Sequence, residues 1–165
     1  RSVEGRMELI KAKQNFSVII DYCQHINNYE QIFEFVDSVR QNKGRLIAVL
    51  GAPGKRNYKM RREIGKVANK YLDHVILTQL DDRGENVYDI CKTIQAEIVD
   101  ISSVIIPSRQ VAIEQAIEIA CKDDIILILG KGHEKFISLE VGHVDYPGDS
   151  TIVKEAIERI YGEND

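Results

Sequence analysis

A five-residue segment, Gly-Lys-Gly-His-Glu at 130–134, follows an apolar run at 125–129 and carries the clearest chemical signal in the chain. Glycines let a ligand approach the backbone closely. Three ionisable side chains within five positions are typical of a binding site. We therefore expect this segment to line a ligand site. The competing interpretation is a surface turn in which Lys131 and Glu134 are solvated.

A second charged segment, 79–85, contains Arg83 and Glu85. An arginine can bind a carboxylate through two parallel hydrogen bonds, and a glutamate can bind an ammonium group. The pair would therefore suit the zwitterion of an amino acid. A solvated charged turn explains the same residues equally well.

Two glycine-containing segments do not match the common nucleotide-binding motifs. The segment 51–56 has two residues between its first glycine and its Gly-Lys pair, whereas a P-loop needs four, followed by Ser or Thr where this chain has Arg56. A dinucleotide fingerprint starting at Gly130 would need a glycine at Lys135. We therefore expect no ATP hydrolysis by this domain alone.

The composition predicts one soluble globular domain. The chain has 165 residues, 44% of them hydrophobic, with a formal net charge of −4 and a sequence pI of about 5.6. An acidic balance of this kind disfavours binding to nucleic acid or to an anionic membrane. No membrane span or signal peptide is evident, so we expect a cytoplasmic protein.

The three cysteines, Cys23, Cys91 and Cys121, are far apart and form no Cys-x-x-Cys arrangement. This spacing indicates neither a zinc site nor a disulfide framework. We expect all three to be buried thiols of a reduced cytosol, and we predict no metal site in the chain.

Short apolar runs alternate with segments of helical periodicity, a pattern that predicts a mostly parallel sheet of about six strands with helices on both faces. This is an α/β fold of Rossmann-like type. The predicted strands are 16–20, 46–50, 74–78, 103–106 and 125–129, with 7–10 as an edge strand, and the predicted helices are 28–41, 57–72, 86–97, 108–121 and 150–161. Loops at the carboxyl ends of parallel strands converge, so the charged segments described above should meet there.

The order and spacing of these loops resemble the C-terminal domain of the Mur ligase family, and within it the tripeptide-synthetase branch most closely. The resemblance covers nearly the whole chain, and its most specific part is Gly-Lys-Gly-His-Glu. The other matching features are Gly5-Arg6 with Glu8, Asp21-Tyr22, Arg56 and Arg61 in the glycine-rich loop, Thr78 to Glu85, and Arg109 with Ala112-Ile113.

This resemblance implies the C-terminal domain of an ATP-dependent amide ligase that adds an amino acid to a UDP-N-acetylmuramoyl peptide. ATP and Mg²⁺ would be bound mainly by a central domain, which, like an N-terminal UDP-sugar peptide domain, lies outside this chain. The chain alone would be inactive, and no catalytic group is assigned to it. The implied amino-acid-binding residues are Arg83, Glu85, Gly130, Glu134 and Arg61, and those facing the nucleotide or the domain interface are Asp21, Arg56, Lys131 and His133.

The chain departs from the family pattern at Gln24, Lys55, Asn57, Leu80 and Ser108. Two further interpretations therefore stay open beside a peptidoglycan-precursor ligase. One is a cyanophycin-synthetase-like ligase domain, which the Gly-Ala-Pro-Gly segment at 51–54 resembles. The other is a degenerate domain that binds a nucleotide-sugar or a partner protein without catalysis.

Overall fold

Strands and helices alternate along most of the chain in the computed structural model, which describes residues 5–162. The strands are β1 (Glu8–Ile10), β2 (Ser17–Asp21), β3 (Leu46–Leu50), β4 (His74–Leu77), β5 (Ser102–Ile105), β6 (Ile125–Leu129), β7 (Phe136–Ser138) and β8 (His143–Asp145). The helices are α1 (Ile26–Arg40), α2 (Tyr58–Tyr71), α3 (Val87–Gln95), α4 (Arg109–Ile119) and α5 (Asp149–Tyr161).

The main sheet has six strands in the order β1-β2-β6-β3-β4-β5. The edge strand β1 pairs antiparallel with β2, and every other pairing in this sheet is parallel. The predicted Rossmann-like α/β fold and its mostly parallel six-stranded sheet are therefore confirmed. A separate hairpin of β7 and β8 follows the last parallel strand.

Helices cover both faces of the sheet. Buried residues of α1, α2 and α3 form one core with one set of alternating strand residues, which includes Ala48 and Leu127. Buried residues of α4 and α5 form a second core with the opposite set, which includes Ile47 and Ile126. The central strand β3 is completely buried because both of its faces are covered, which explains its continuous apolar sequence.

Some apolar side chains at the periphery of the fold are exposed. Strand β5 is the open edge of the sheet, and Val104 is exposed there. On α1, Phe35 and Val39 are about half exposed.

Cys121 is exposed, so the expectation of three buried thiols is wrong for this residue and correct for Cys23 and Cys91. It follows α4 at the edge of the fold, where a polar connection rather than a core element surrounds it. Burial raises the pKa of the Cys91 thiol to about 12, as expected for an inert core residue. Within residues 5–162, no helix combines the length and the apolar character that crossing a membrane requires.

A buried ion pair joins the two helices of the second face. Arg109 begins α4 and donates two hydrogen bonds, of 2.9 and 2.8 Å, to the carboxylate of Asp149, which begins α5. The same guanidinium donates to the carbonyl groups of Leu129 and Gln79, at the ends of β6 and β4. Arg109 therefore ties α5 to the sheet edge that carries the functional loops.

Candidate functional site

The loops after β2, β3, β4 and β6 meet at the carboxyl edge of the sheet. The backbone N–H of Gly54 donates to the carbonyl of Asp81 at 2.7 Å, and that of Gly130 donates to the carbonyl of Asp21 at 3.0 Å. A Cβ atom on Gly54 would lie 1.7 Å from the carbonyl oxygen of Asp82. Only glycine therefore permits this approach of the β3 and β4 loops.

A chain of contacts runs from Arg83 to Glu134 through Asp81 and Lys131. The Lys131 ammonium contacts the Asp81 carboxylate at 2.9 Å and the Glu134 carboxylate at 3.3 Å. The Arg83 guanidinium donates at 3.4 Å to the backbone carbonyl of the same Asp81. One cation and one anion, both partly accessible, are thus held near each other at this edge.

Lys131 is not on the surface, so a bound nucleotide could not reach its side chain. Its side chain is completely buried, with the ammonium 4.7 Å from the centre of the Phe136 ring in addition to its two carboxylate partners. A buried ammonium is stable only when it is paired in this way. The structure therefore places Lys131 inside the loop cluster.

Arg61 and Glu85 bind each other rather than standing free. Both terminal nitrogens of Arg61 donate to the Glu85 carboxylate, at 2.5 and 2.9 Å, and one of them also donates to the Pro53 carbonyl. The hydrogen bonds from Arg61 hold the pKa of Glu85 below its ordinary value of 4.5. In this arrangement the pair joins α2 to the β4 loop, and neither side chain is free to bind an amino acid.

The turn that carries Arg83 is shaped by Asp82. Its carboxylate accepts hydrogen bonds from the Gln79 side chain at 2.6 Å and from the Gly84 N–H at 3.2 Å, and its carbonyl accepts one from the Glu85 N–H. Arg83 itself has a positive φ of 48°. The hydrogen bonds to the Asp82 carboxylate and carbonyl therefore fix this turn.

Gly130 lies at the centre of the loop cluster. Its φ is 109°, and a Cβ atom there would lie 2.8 Å from the Leu80 side chain. The Gln24 amide donates to its carbonyl at 2.7 Å. Two departures from the family pattern, Gln24 and Leu80, thus contact the same glycine and help to fix the start of the Gly-Lys-Gly-His-Glu segment.

The N-terminal segment closes the cluster on its β2 side. A Cβ atom on Gly5 would lie 2.2 Å from the backbone nitrogen of His133, and one on Gly132 would lie 2.8 Å from the Tyr22 side chain. Glu8 accepts from the Gly5 N–H and from the Ser150 hydroxyl, both at 3.0 Å. Gly5 and Gly132 therefore permit a close contact between the N-terminal segment and the 130–134 segment.

The predicted nucleotide-facing residues Arg56, His133 and Asp21 lie around this edge. Arg56 and His133 are exposed, and Arg56 has no carboxylate within 4.0 Å among the described residues. The Asp21 carboxylate accepts from the Met7 N–H at 2.9 Å and lines a cavity of about 200 Å³ with Arg6. Asp21 thus combines a structural contact with access to a cavity.

The remaining departures have local structural roles. Ser108 caps α4, because its hydroxyl accepts from the Val111 N–H at 3.4 Å. Asn57 precedes α2 with a φ of 51°, a left-handed conformation that asparagine tolerates. The Lys55 N–H donates to Glu85 at 2.9 Å. These substitutions are therefore compatible with an intact loop framework.

The β7–β8 hairpin is a part of the site that the sequence did not predict. The Ser138 N–H donates to the Asp81 carboxylate at 2.8 Å, and the Ser138 carbonyl accepts from the Arg83 N–H at 3.1 Å. Beyond it, Glu140 contacts Gly84 and lies 3.8 Å from the Lys55 ammonium. Strands of three residues give too short a pattern to detect, although Phe136 and Ile137 mark the first of them.

The arrangement as a whole provides binding groups rather than a nucleophile. Arg83 and Glu134 offer opposite charges, backbone groups of the glycine loops are close by, and the cysteines of the core are remote from solvent. Among residues 5–162 no cluster of three or more potential metal ligands occurs. Such a surface is suited to holding and orienting a small zwitterion.

Comparison with known proteins gives consistent matches. The model of the Mur ligase glutamate ligase domain matches residues 5–132. A UDP-N-acetylmuramyl-tripeptide synthetase of Borreliella afzelii (strain PKo) is 37% identical over 161 residues, which is 95% of this chain and 31% of the relative. A UDP-N-acetylmuramoyl-L-alanyl-D-glutamate–2,6-diaminopimelate ligase of Aquifex aeolicus (strain VF5) is 38% identical over 158 residues, covering 94% of this chain and 32% of that relative.

Solved structures agree with these matches. A UDP-N-acetylmuramoyl-L-alanyl-D-glutamate–2,6-diaminopimelate ligase superposes with a TM-score of 0.84 and 25% identity, over 98% of this chain and 33% of that one. A Thermotoga maritima MurF ligase in complex with ADP superposes with a TM-score of 0.56 and 15% identity, over 96% of this chain and 31% of that one, a likeness of fold alone. The chain spans about a third of the length of the relatives it matches.

Proposed function

Since this chain belongs to the Mur ligase family and corresponds to its C-terminal glutamate ligase domain, we propose that it binds the amino acid in an ATP-dependent acid–amino-acid ligase. The acceptor would be a UDP-N-acetylmuramoyl peptide, and the product a peptidoglycan precursor made in the cytoplasm. The proposal rests mainly on one observation: Arg83 and Glu134 are linked at the carboxyl edge of the sheet, through the backbone carbonyl and carboxylate of Asp81 and the ammonium of Lys131.

The two charges suit the two ends of an amino acid. The Arg83 guanidinium has no carboxylate within 4.0 Å among residues 5–162 and is free to bind the substrate carboxylate. Glu134 is paired with Lys131 but keeps about 15% of its side chain exposed, enough to contact an ammonium group. Gly130 offers backbone groups beside them. Arg61 and Glu85, predicted as ligands, would instead support the loop from behind.

The domain would contribute orientation and exclusion of water rather than covalent catalysis. ATP, with Mg²⁺, supplies the activation of the acceptor carboxylate in such a ligase, mainly at a central domain. An exposed arginine without a carboxylate partner fits a polyphosphate, so Arg56 is the residue of this chain best placed to contact it. Holding the amine close to the activated carboxyl raises its effective concentration, and closure limits hydrolysis.

The family relatives include a ligase whose name specifies 2,6-diaminopimelate, and we propose a diamino acid as the first substrate to test. The acidic residues near Arg83 support this choice. Asp81 and Asp82 lie within two positions of Arg83, and Lys131 pairs with only one of them, Asp81, so this side of the site keeps a negative charge. A second amino group on the substrate would be attracted by that field.

The test uses the full-length protein that contains this chain, with ATP, Mg²⁺ and UDP-N-acetylmuramoyl-L-alanyl-D-glutamate. Release of phosphate is measured with meso-diaminopimelate, lysine, ornithine or aspartate added singly. We expect release that depends on one of the diamino acids, together with a nucleotide product whose mass has increased by that amino acid minus water. If no amino acid stimulates release or binds in calorimetry, the non-catalytic interpretation is correct.

The same measurement on the isolated 165 residues tests whether this domain serves only for binding and closure. We expect no ATP turnover and only weak binding of the amino acid, because the activated carboxyl group is formed elsewhere in the enzyme. Amino-acid-dependent ATP turnover by this chain alone would contradict the proposal that it serves only for binding and closure.

A further inference from the structure

The Gly-Lys-Gly-His-Glu segment contains a buried lysine that the proposed binding contacts do not use. Lys131 is 0% exposed, whereas its neighbours Gly130 and Glu134 are the groups assigned to the substrate. Burying an ammonium group costs free energy unless the group is paired with opposite charges. A side chain that carries this cost beside a binding site needs an explanation.

The surroundings of Lys131 show what it holds. Its ammonium donates to the Asp81 carboxylate at 2.9 Å, forms an ion pair with Glu134 at 3.3 Å, and lies over the Phe136 ring. The Glu134 N–H also donates to the carbonyl of Lys131 at 3.0 Å, so the backbone and the side chain both fix Glu134. These contacts hold the Glu134 carboxylate beside the buried ammonium.

Asp81 extends this control to Arg83. The carboxylate oxygen that contacts Lys131 also accepts from the Ser138 N–H at 2.8 Å. The backbone carbonyl of Asp81 accepts a hydrogen bond from the Gly54 N–H at 2.7 Å and one from the Arg83 guanidinium at 3.4 Å. Asp81 thus contacts the β3 loop, the β6 loop, the hairpin and Arg83 together.

We propose that Asp81 and Lys131 are a pair of positioning residues that set the spacing between Arg83 and Glu134 for the amino-acid substrate. The inference rests on the proposed function and adds to it the groups that determine its geometry. Asp81 is itself occupied by Lys131 and Ser138, so it acts on the substrate through its neighbours. The buried pair fixes the relative position of the two groups that touch the substrate.

The pair also accounts for the charge of the site. Asp81, Lys131 and Glu134 together carry one net negative charge, because the ammonium neutralises one of the two carboxylates. With Arg83, the group that faces the substrate has one positive and one negative charge. Without Lys131, the same loops would present two unneutralised carboxylates beside Arg83, a poor match for a substrate carboxylate.

The test uses the full-length enzyme and the double variant Asp81→Asn/Lys131→Met, which removes both members of the buried pair, so that neither stays behind as an unpaired charge. Asparagine keeps an oxygen that can accept from Ser138. We expect the variant to fold, with the KM for the amino acid raised about tenfold and the KM for ATP changed by less than about twofold, as for a misplaced binding group. The matched control is Glu30→Gln/Lys70→Met, which removes an exposed pair 3.9 Å apart and should leave both constants unchanged.

A double-mutant cycle separates positioning from general support of the fold. In a Glu134→Gln background the Asp81→Asn/Lys131→Met change should raise the KM for the amino acid much less than in the wild type, because the group it positions is already altered. The inference is wrong if a folded double variant keeps the wild-type KM, or if the effect is undiminished in that background.

A structural comparison tests the positioning role even if the full-length protein has no ligase activity. Crystal structures of the wild type and of the double variant should show a displaced or alternative orientation of the Glu134 carboxylate in the variant. An unchanged Glu134 and Arg83 would overturn the inference. Absence of amino-acid-dependent turnover in the wild type, with Glu134 displaced in the variant, would refute the proposed function and leave the positioning role supported.

Discussion

Arg61 and Glu85 form a two-point ion pair in which two nitrogens of the guanidinium face two oxygens of the carboxylate, at 2.5 and 2.9 Å. The pair also lies against the Tyr58 ring, whose centre is 4.6 Å from the guanidinium carbon of Arg61. Only 4% of the Arg61 side chain is exposed. The two residues therefore support the β4 loop and are expected to affect stability more than ligand contact.

This relationship predicts a pH-dependent loss of stability that Glu85→Gln removes. The pKa of Glu85 is lower in the folded chain than in the unfolded chain, because Arg61 donates hydrogen bonds to the charged carboxylate. The contribution of the charged Glu85 carboxylate to the free energy of unfolding is fully present above the pKa of the unfolded chain, near 4.5. This contribution is lost as the pH falls through the lower pKa of the folded chain. Glu85→Gln should cost about 2 kcal/mol at neutral pH.

Urea denaturation at about pH 7, 5 and 3 measures the difference. The gap in unfolding free energy between wild type and Glu85→Gln should narrow as the solution becomes more acidic. Glu140→Gln is a suitable control, since Glu140 is largely exposed and 3.8 Å from its lysine partner. A difference in unfolding free energy that stays constant with pH would show that ionisation of Glu85 does not contribute to stability.

The buried pair Arg109–Asp149 should contribute more to stability than any exposed pair. Both side chains are 0% exposed, and Asp149 also accepts a hydrogen bond from the Tyr146 hydroxyl. Arg109→Met leaves the Asp149 carboxylate buried without its cation and should cost about 3–5 kcal/mol. Denaturant unfolding tests this value.

A second variant distinguishes lost pairing from lost packing. Arg109→Met/Asp149→Asn removes both charges, and it should recover part of the stability lost in Arg109→Met. Equal destabilisation in the single and double variants would show that the shape of the arginine, rather than its charge, supports the helices α4 and α5.

The parallel sheet was predictable because each of its strands is a short apolar run between polar loops. The central run at 46–50 is buried on both faces and has no charged residue. The hairpin lacked this signal: β7 and β8 have three residues each, and all of β8 is exposed. This hairpin is held by backbone contacts to the β4 loop, so its sequence needs no apolar pattern long enough to be recognised.

The meeting of the charged loops was predictable, but the pairings among their side chains were not. The convergence of strand ends predicted where the loops with Arg83, Glu85 and Glu134 meet, and the family resemblance added Arg61. It could not show that Arg61 faces Glu85, since 24 positions and a whole strand separate them. The burial of Lys131 was equally hidden, because a lysine next to two glycines is more often exposed.

Close contact between the β3 and β4 loops predicts a strong effect of Gly54→Ala. The added Cβ atom would lie 1.7 Å from the Asp82 carbonyl oxygen, so the loops must separate. The hydrogen bond from the Gly54 N–H to Asp81 would be lost with this movement. We expect a loss of stability of about 2–3 kcal/mol and weaker amino-acid binding, because Arg83 follows in the same turn.

Gly142→Ala is the matched control, measured by thermal unfolding beside Gly54→Ala. Gly142 has no atom within 4 Å of the added Cβ, and its φ of 71° makes alanine strained by only about 1 kcal/mol. It should leave amino-acid binding unaltered. Gly54 has no positive φ that alanine would strain, so similar behaviour of the two variants would argue against the contact between the β3 and β4 loops as the cause.

The hydrogen bond from Gln24 to the Gly130 carbonyl predicts that Gln24 stabilises the start of the Gly-Lys-Gly-His-Glu segment. Gln24→Ala removes a 2.7 Å hydrogen bond and should cost about 1–2 kcal/mol. His25→Ala, one position later, alters an exposed side chain and should be nearly neutral. Hydrogen exchange of the 130–134 amides provides the local readout. Equal protection in both variants would argue against this role of Gln24.

Arg83 provides the most direct test of the proposed substrate contact. Its side chain is partly exposed and contributes little to the core, so Arg83→Ala should leave the unfolding free energy within about 0.5 kcal/mol of wild type. In the full-length enzyme the KM for the amino acid should rise about tenfold to a hundredfold, because a charged two-point contact is lost. Arg62→Ala removes another arginine, which is 67% exposed and paired with Glu97, and should change neither the unfolding free energy nor the KM for the amino acid. A wild-type KM in Arg83→Ala would place the substrate carboxylate elsewhere on this sheet edge.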